Sequence, residues 1–125
     1  MQSSSLFDLI GEERLRALVE AFYLRVGQHP DLAPIFPPDL RETAEKQYMF
    51  LTQFFGGPSL YSDVYGHPML RARHMPFPIT VTRARAWLSC MVAAMDEVAI
   101  TGDLREQMLA KLAFTAQHMV NRQEE

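Results

Sequence analysis

At 125 residues the chain is expected to form a single domain over 1–125, large enough to bury a core and too small for an added catalytic domain. Its 48% hydrophobic and 22% charged content excludes the disordered class, and a net charge of −3 with a pI near 5.8 leaves no basic footprint for nucleic acid. The lone Cys90 excludes an internal disulfide, no apolar run approaches the ~18 residues of a membrane span, and residues 1–5 lack a signal-peptide pattern, so a cytoplasmic protein is expected.

Residues 1–5 are polar and expected to fray, and Leu6, Phe7, Leu9 and Ile10 form one apolar turn before Gly11 breaks it. From Glu12 to Gly27 the apolar positions Leu15, Leu18, Val19, Phe22, Tyr23 and Val26 recur three and four apart, which predicts an amphipathic helix. Tyr23 lies on its buried stripe. A buried phenol needs a partner, either a backbone carbonyl or a ligand. Pro30, Pro34, Pro37 and Pro38 then make a turn-rich connector whose apolar contacts come from Leu32, Ile35 and Phe36.

Asp39-Leu40-Arg41-Glu42 reads as a capping box opening a helix that should run to Phe55 and stop at Gly56-Gly57-Pro58. Leu40, Ala44, Leu51, Phe54 and Phe55 define its inner face, and Thr43, Gln47 and Phe50 form an adjoining row. Polar groups on such a face cost about 1 to 3 kcal/mol each unless something satisfies them. A polar ligand would serve Gln47 and Thr43; so would a local carbonyl or solvent. Lys46 could reach an acidic group at the rim of a site, or be solvated.

Between Gly57 and Leu70 no period is evident, so a structured loop carrying Tyr61 and Tyr65 is expected. The stretch from Gly66 to Ile79 holds His67, His74, Arg71, Arg73 and three prolines. Pro76 and Pro78 must end any helix bearing His74, which places its imidazole at a helix C-terminus among Met75 and Phe77. A histidine in apolar surroundings is paired or bound to a metal, although one beside arginines is more often satisfied or at the surface. Arg71 and Arg73 are too close to share a helical face, so at least one should point to water.

Thr80 or Thr82 begins a long helix with Ala84, Trp87, Leu88, Met91, Val92, Met95 and Val98 on one stripe. Cys90 falls off that stripe and has no activating neighbour. After Gly102, Asp103-Leu104-Arg105-Glu106 reads as a second capping box, and Leu104, Met108, Leu112, Ala116 and Met119 give the last helix a structural face. His118 near its end is not expected to ligate metal, and Asn121 onward reads as a polar tail. No repeat, heptad array, phosphate loop or flavin or nicotinamide fingerprint is present.

Phe54-Phe55-Gly56-Gly57-Pro58-Ser59-Leu60-Tyr61, Gly66-His67-Pro68, Leu70-Arg71-Ala72-Arg73-His74-Met75-Pro76-Phe77 and Ala86-Trp87-Leu88-Ser89-Cys90-Met91 together resemble the group II truncated haemoglobins. The match spans nearly the whole chain. It implies an all-α truncated globin, a two-over-two helical sandwich around haem b, with His74 as the proximal iron ligand, the role histidine plays in globins generally. By the same resemblance Tyr23, Gln47 and Trp87 donate hydrogen bonds to a diatomic ligand. The cofactor contacts it implies are Thr43, Lys46, Tyr61, Arg73, Phe36, Phe50, Phe77, Ile79, Trp87 and Met91, with Tyr61, Arg73 and Lys46 at the propionates. Some relatives carry a tyrosine where this chain has Phe36, so one pocket hydroxyl fewer is expected here. The implied function is reversible binding of O2, NO or CO with high affinity and slow release. The alternative is a haem redox enzyme, a peroxidase or NO dioxygenase served by an external reductase, in a monomer or homodimer.

Overall fold

Ser5 opens the first helix of the computed structural model, which describes residues 4–123. Its Oγ accepts the Asp8 N–H at 3.0 Å, and Asp8 Oδ2 accepts the Ser5 N–H at 3.1 Å, a reciprocal capping box. The N-terminal polar stretch is therefore ordered at Ser5, where fraying was expected; residues 1–3 lie outside the described residues, as do 124 and 125 of the tail. Helix α1 (Leu6–Ile10) meets α2 (Glu12–Val26) at Gly11, and α2 buries the six apolar positions its period predicts. A 3-10 turn (Ala33–Ile35) sits within the proline-rich connector.

Helix α3 (Arg41–Phe54) starts and stops where expected, but the capping box does not form. Asp39 Oδ1 accepts the Arg41 N–H at 3.0 Å, and its carboxylate grips the Arg41 guanidinium at 2.7 Å. That side-chain bond, with the backbone one, holds the Asp39 carboxyl at about 2. Glu42 turns forward to Lys46 at 3.3 Å instead of back to the helix start. The second expected box fails for the same reason: Asp103 accepts from Gln107 at 2.8 Å and Arg105 pairs with Asp96 at 2.6 Å, leaving Thr101 as an N-cap without a side-chain bond. A charged or amide partner nearby competes with the backbone N–H groups for one carboxylate.

The expected loop between Gly57 and Leu70 contains a helix, α4 (Leu60–Tyr65). Six residues are too few to display a period. What docks it is Gln53 of α3, which donates to Ser62 Oγ at 2.7 Å and accepts the Ser62 N–H at 2.9 Å. Gly57 makes the adjoining turn possible, because a Cβ there would lie 2.6 Å from the Phe7 ring and 2.9 Å from the Thr52 carbonyl. Gly57→Ala is expected to destabilise the fold by about 1 to 3 kcal/mol through overpacking, read from the denaturant midpoint.

Helix α5 (Leu70–His74) ends just before Pro76, and α6 (Val81–Glu97) is capped by Thr80 Oγ1 accepting the Arg83 N–H at 3.1 Å. Helix α7 (Gly102–Met119) follows. The four long helices form two pairs, α2 with α3 and α6 with α7, joined where α2 crosses α6. This double contact rotates α6 relative to its expected stripe. Ala86, Cys90 and Ala94 are buried with Met91 and Met95, because small side chains let two neighbouring helices approach, while Trp87, Leu88 and Val92 stay half-buried. Cys90 is thus in the core, and burial pushes its thiol up, away from reactivity.

Candidate functional site

A cavity of about 420 Å³ opens between α3, the α5 segment, α6 and α7, within the size range of small-molecule and cofactor sites. Helix α3 contributes Thr43, Lys46, Gln47 and Phe50 to its lining, so the half-polar row beside the inner face of that helix is a cavity wall. The α5 segment contributes Arg73, His74, Phe77 and Ile79. Phe36 comes from the connector, Tyr61 from α4 and Trp87 from α6.

His74 Nδ1 lies 2.6 Å from the carbonyl oxygen of Leu70, one helical turn back. A carbonyl only accepts, so Nδ1 carries the hydrogen, and in the neutral ring Nε2 keeps a lone pair. No cluster of three or more His, Cys, Asp or Glu side chains that could hold a metal ion exists among the described residues. One imidazole cannot satisfy a bare ion, which takes four or more donors. It does suit a metal that arrives with its other donors already attached in a large, flat, apolar group.

The rim of the cavity is cationic. Arg73 Nη1 donates to the Tyr61 hydroxyl at 2.8 Å and Nη2 to the Tyr65 carbonyl at 3.1 Å. Arg83, which sequence reasoning passed over, donates to the carbonyls of Asp31 at 2.9 Å and Pro78 at 2.8 Å and also lines the cavity. Among the described residues neither arginine is paired with a carboxylate. Lys46 does pair, with Glu42, but that exposed bond is worth less than about 1 kcal/mol and is easily exchanged. Two uncompensated guanidinium groups beside an apolar slot match a ligand with an apolar body and carboxylate substituents. Arg71 and Arg73 both stay exposed to water, as expected of at least one, while Arg71 also donates to the carbonyls of His118 and Val120.

Two expected site residues do not line the cavity. Met91 is fully buried in the core, drawn in by the α2–α6–α7 contact, and the cavity is walled on α6 by Ala84 and Trp87. Tyr23 stands one ring behind the lining, 4.9 Å from Phe22 and 6.1 Å from Phe36 by ring centroids. Burial pushes its phenol well above the ordinary tyrosine range, so it remains a protonated donor. Tyr65, expected in a loop with Tyr61, sits on α4 with its ring centroid 5.0 Å from that of Tyr61 and the two planes tilted by 42°, and it is exposed. The last helix supplies a wall that its regular stripe concealed: Leu112, Thr115, Ala116 and Met119 all face the cavity. Thr115, polar and three residues after Leu112, was the available signal.

The bacterial-like globin family model matches residues 5–121. Group 2 truncated hemoglobin YjbI of Bacillus subtilis is 60% identical over 118 residues, covering 94% of this chain and 89% of the relative. The chain belongs to the group II truncated haemoglobins. The crystal structure of the group II truncated hemoglobin from Bacillus anthracis superposes with a TM-score of 0.98 at 56% identity, covering 100% of this chain and 97% of that one. That of the truncated oxygen-avid haemoglobin from Bacillus subtilis gives 0.93 at 59% identity, covering 94% and 100%. Membership in the globins implies haem and a diatomic gas as ligands, and the cavity of this truncated haemoglobin fits haem in three respects: a lone imidazole with a free lone pair, apolar walls and a cationic rim. No helix among its described residues is long and apolar enough to cross a membrane.

Proposed function

We propose that this globin holds haem b through Nε2 of His74 and reversibly binds O2, and also NO and CO, with high affinity and slow release. The observation that carries the reading is the His74 ring, its Nδ1–H committed to the Leu70 carbonyl in the wall of an apolar cavity. That bond selects the tautomer and orientation needed for ligation. When bound, haem supplies an iron with one coordination position open to a gas molecule. Phe36, Phe50, Phe77 and Ile79 provide the apolar contacts for the macrocycle, with Thr43 beside them. Lys46, Tyr61 and Arg73 hold the propionates, and Lys46 exchanges its Glu42 partner to do so.

Gln47 and Trp87 carry N–H groups that form no hydrogen bond with other described residues, and both line the cavity. They donate to the gas ligand, and Tyr23 adds its buried hydroxyl from behind Phe36. A net hydrogen bond contributes about 0.5 to 1.5 kcal/mol, so two or three slow dissociation roughly ten- to a thousandfold. The similar haemoglobin from Bacillus subtilis is described as oxygen-avid, in agreement with this reading. Such retention suits sensing, scavenging or redox chemistry better than bulk delivery.

One feature favours a second reading, a redox enzyme served by an external reductase. Residues 66–95 contain Arg71, Arg73, Arg83 and Arg85 and no acidic residue, in a chain of net charge −3. A basic face at the mouth of the cavity would steer an acidic electron donor. Mixing the oxygenated protein with NO, and following peroxide turnover with a reducing substrate, separates the readings: loss without turnover removes the enzyme. The primary test is the absorption spectrum of the reduced, haem-supplemented protein. We expect a Soret band that shifts with CO; no band after haem addition would overturn the proposal.

A further inference from the structure

The chain segment that carries His74 into the cavity is only partly held by its own turn, in which the Phe77 N–H donates to the His74 carbonyl at 2.9 Å. Pro76 and Pro78 have no N–H, so the turn between α5 and α6 is short of donors for its own carbonyls. A residue that adds donors from outside the turn is Asn121, just past the end of α7 and 47 positions from His74. Its Nδ2 donates to the carbonyl of His74 at 3.2 Å and to that of Phe77 at 3.0 Å. Its Oδ1 accepts the Ile79 N–H at 3.0 Å, and its own N–H donates to the Ile79 carbonyl at 2.9 Å.

One carboxamide thus bonds three residues that all line the cavity, and the orientation of the amide is fixed by its partners, two acceptors on one side and one donor on the other. His74 is held by its ring through Leu70 and by its carbonyl through the Phe77 N–H and the Asn121 side chain. The Phe77 N–H provides a local hold on that carbonyl, and Asn121 adds the tie to the end of α7 that no neighbour within residues 66–79 provides.

We infer that Asn121 is a positioning residue for His74: its carboxamide fixes the backbone on which the imidazole is mounted, and so sets the geometry of the iron–imidazole bond and the rate at which haem is lost. The inference rests on the proposed role of His74 as iron ligand. Groups that orient a metal ligand typically change metal retention about 10- to 100-fold when removed.

Asn121→Ala removes all three side-chain bonds. Asn121→Asp keeps an acceptor for the Ile79 N–H but turns a carboxylate, which cannot donate, toward two carbonyls. Three measurements follow each variant: hydrogen exchange at the Ile79 amide in the haem-free chain, haem transfer to excess apomyoglobin, and the iron–imidazole stretching band of the reduced protein. With Asn121→Ala, Ile79 exchange and haem transfer should both accelerate, transfer by about 10- to 100-fold, and the stretching band should shift. Asn121→Asp should leave Ile79 exchange near the wild-type rate while still accelerating transfer and shifting the band. That split separates positioning of His74 from general loosening, and it decides the matter should the alanine variant fail to fold. Gln117→Ala, on the last turn of α7, should match wild type in all three. Wild-type transfer rates and an unmoved band in both Asn121 variants would overturn the inference alone. No Soret band in the wild-type protein would overturn the haem reading and the inference with it.

Discussion

His74→Ala is expected to abolish haem retention while leaving the helices in place. Among the described residues the imidazole is the only His, Cys, Asp or Glu side chain lining the cavity, so its loss should leave haem held by apolar contact and by the rim cations alone. Losing the ligand itself should cost more than the roughly 100-fold at the upper end for groups that merely orient one. The apo fold should hardly notice. His74 is half-buried and its ring makes one hydrogen bond, to Leu70, worth about 0.5 to 1.5 kcal/mol. Far-ultraviolet circular dichroism should therefore be unchanged, and a titration with haem should show no tight phase. Adding free imidazole should restore part of the spectrum by filling the space of the deleted ring. Tight haem uptake by the alanine variant, with a wild-type Soret position, would remove His74 from its proposed role.

The second large effect should come from the proposed donors to the gas ligand, Gln47 and Trp87. Gln47→Leu keeps the side-chain volume and deletes the amide, and Trp87→Phe keeps an apolar ring and deletes the indole N–H. Each should accelerate O2 dissociation about two- to tenfold, and the pair by up to about a hundredfold, by the value of a net hydrogen bond. The double variant is needed because neighbouring donors to one ligand seldom act additively. Carbon monoxide, a poorer acceptor, should leave at rates changed several-fold less. Tyr23→Phe tests the hydroxyl from behind the lining, without disturbing the edge contacts of its ring to Phe22 and Phe36. O2 release unchanged in both the Gln47 and Trp87 variants would show that neither donor reaches the ligand.

Much of the architecture was legible because long amphipathic helices write their period into the chain. The stripe of α2, from Leu15 to Val26, is buried as the spacing requires, and Gly56 ends the α3 pattern on schedule with a positive φ of 94°. His74 at a helix end followed from Pro76 and Pro78 alone. The row Thr43, Gln47 and Phe50 was visible as a polar interruption, and it proved to be a cavity wall. Other features were hidden for definite reasons. Helix α4 has six residues, fewer than two turns, so its existence depends on Gln53 gripping Ser62 and not on any period. Both expected capping boxes failed because Asp39 and Asp103 each had a rival partner within four residues, and the energies of the alternatives differ by little.

What the chain by itself determined was a set of faces. Period and punctuation specify which residues of one helix lie together, and that is local information carried by neighbours three and four apart. Only the tertiary structure decided what each face meets. Met91 and Trp87 lie one turn apart on α6, yet one is sealed between helices and the other borders the cavity, because the approach of α2 and α7 differs along that helix. The same holds for the end of α7, where a tail that reads as polar filler becomes the bracket for the His74 segment. Contacts separated by 47 residues depend on how helices pack, and no spacing within either segment encodes that packing.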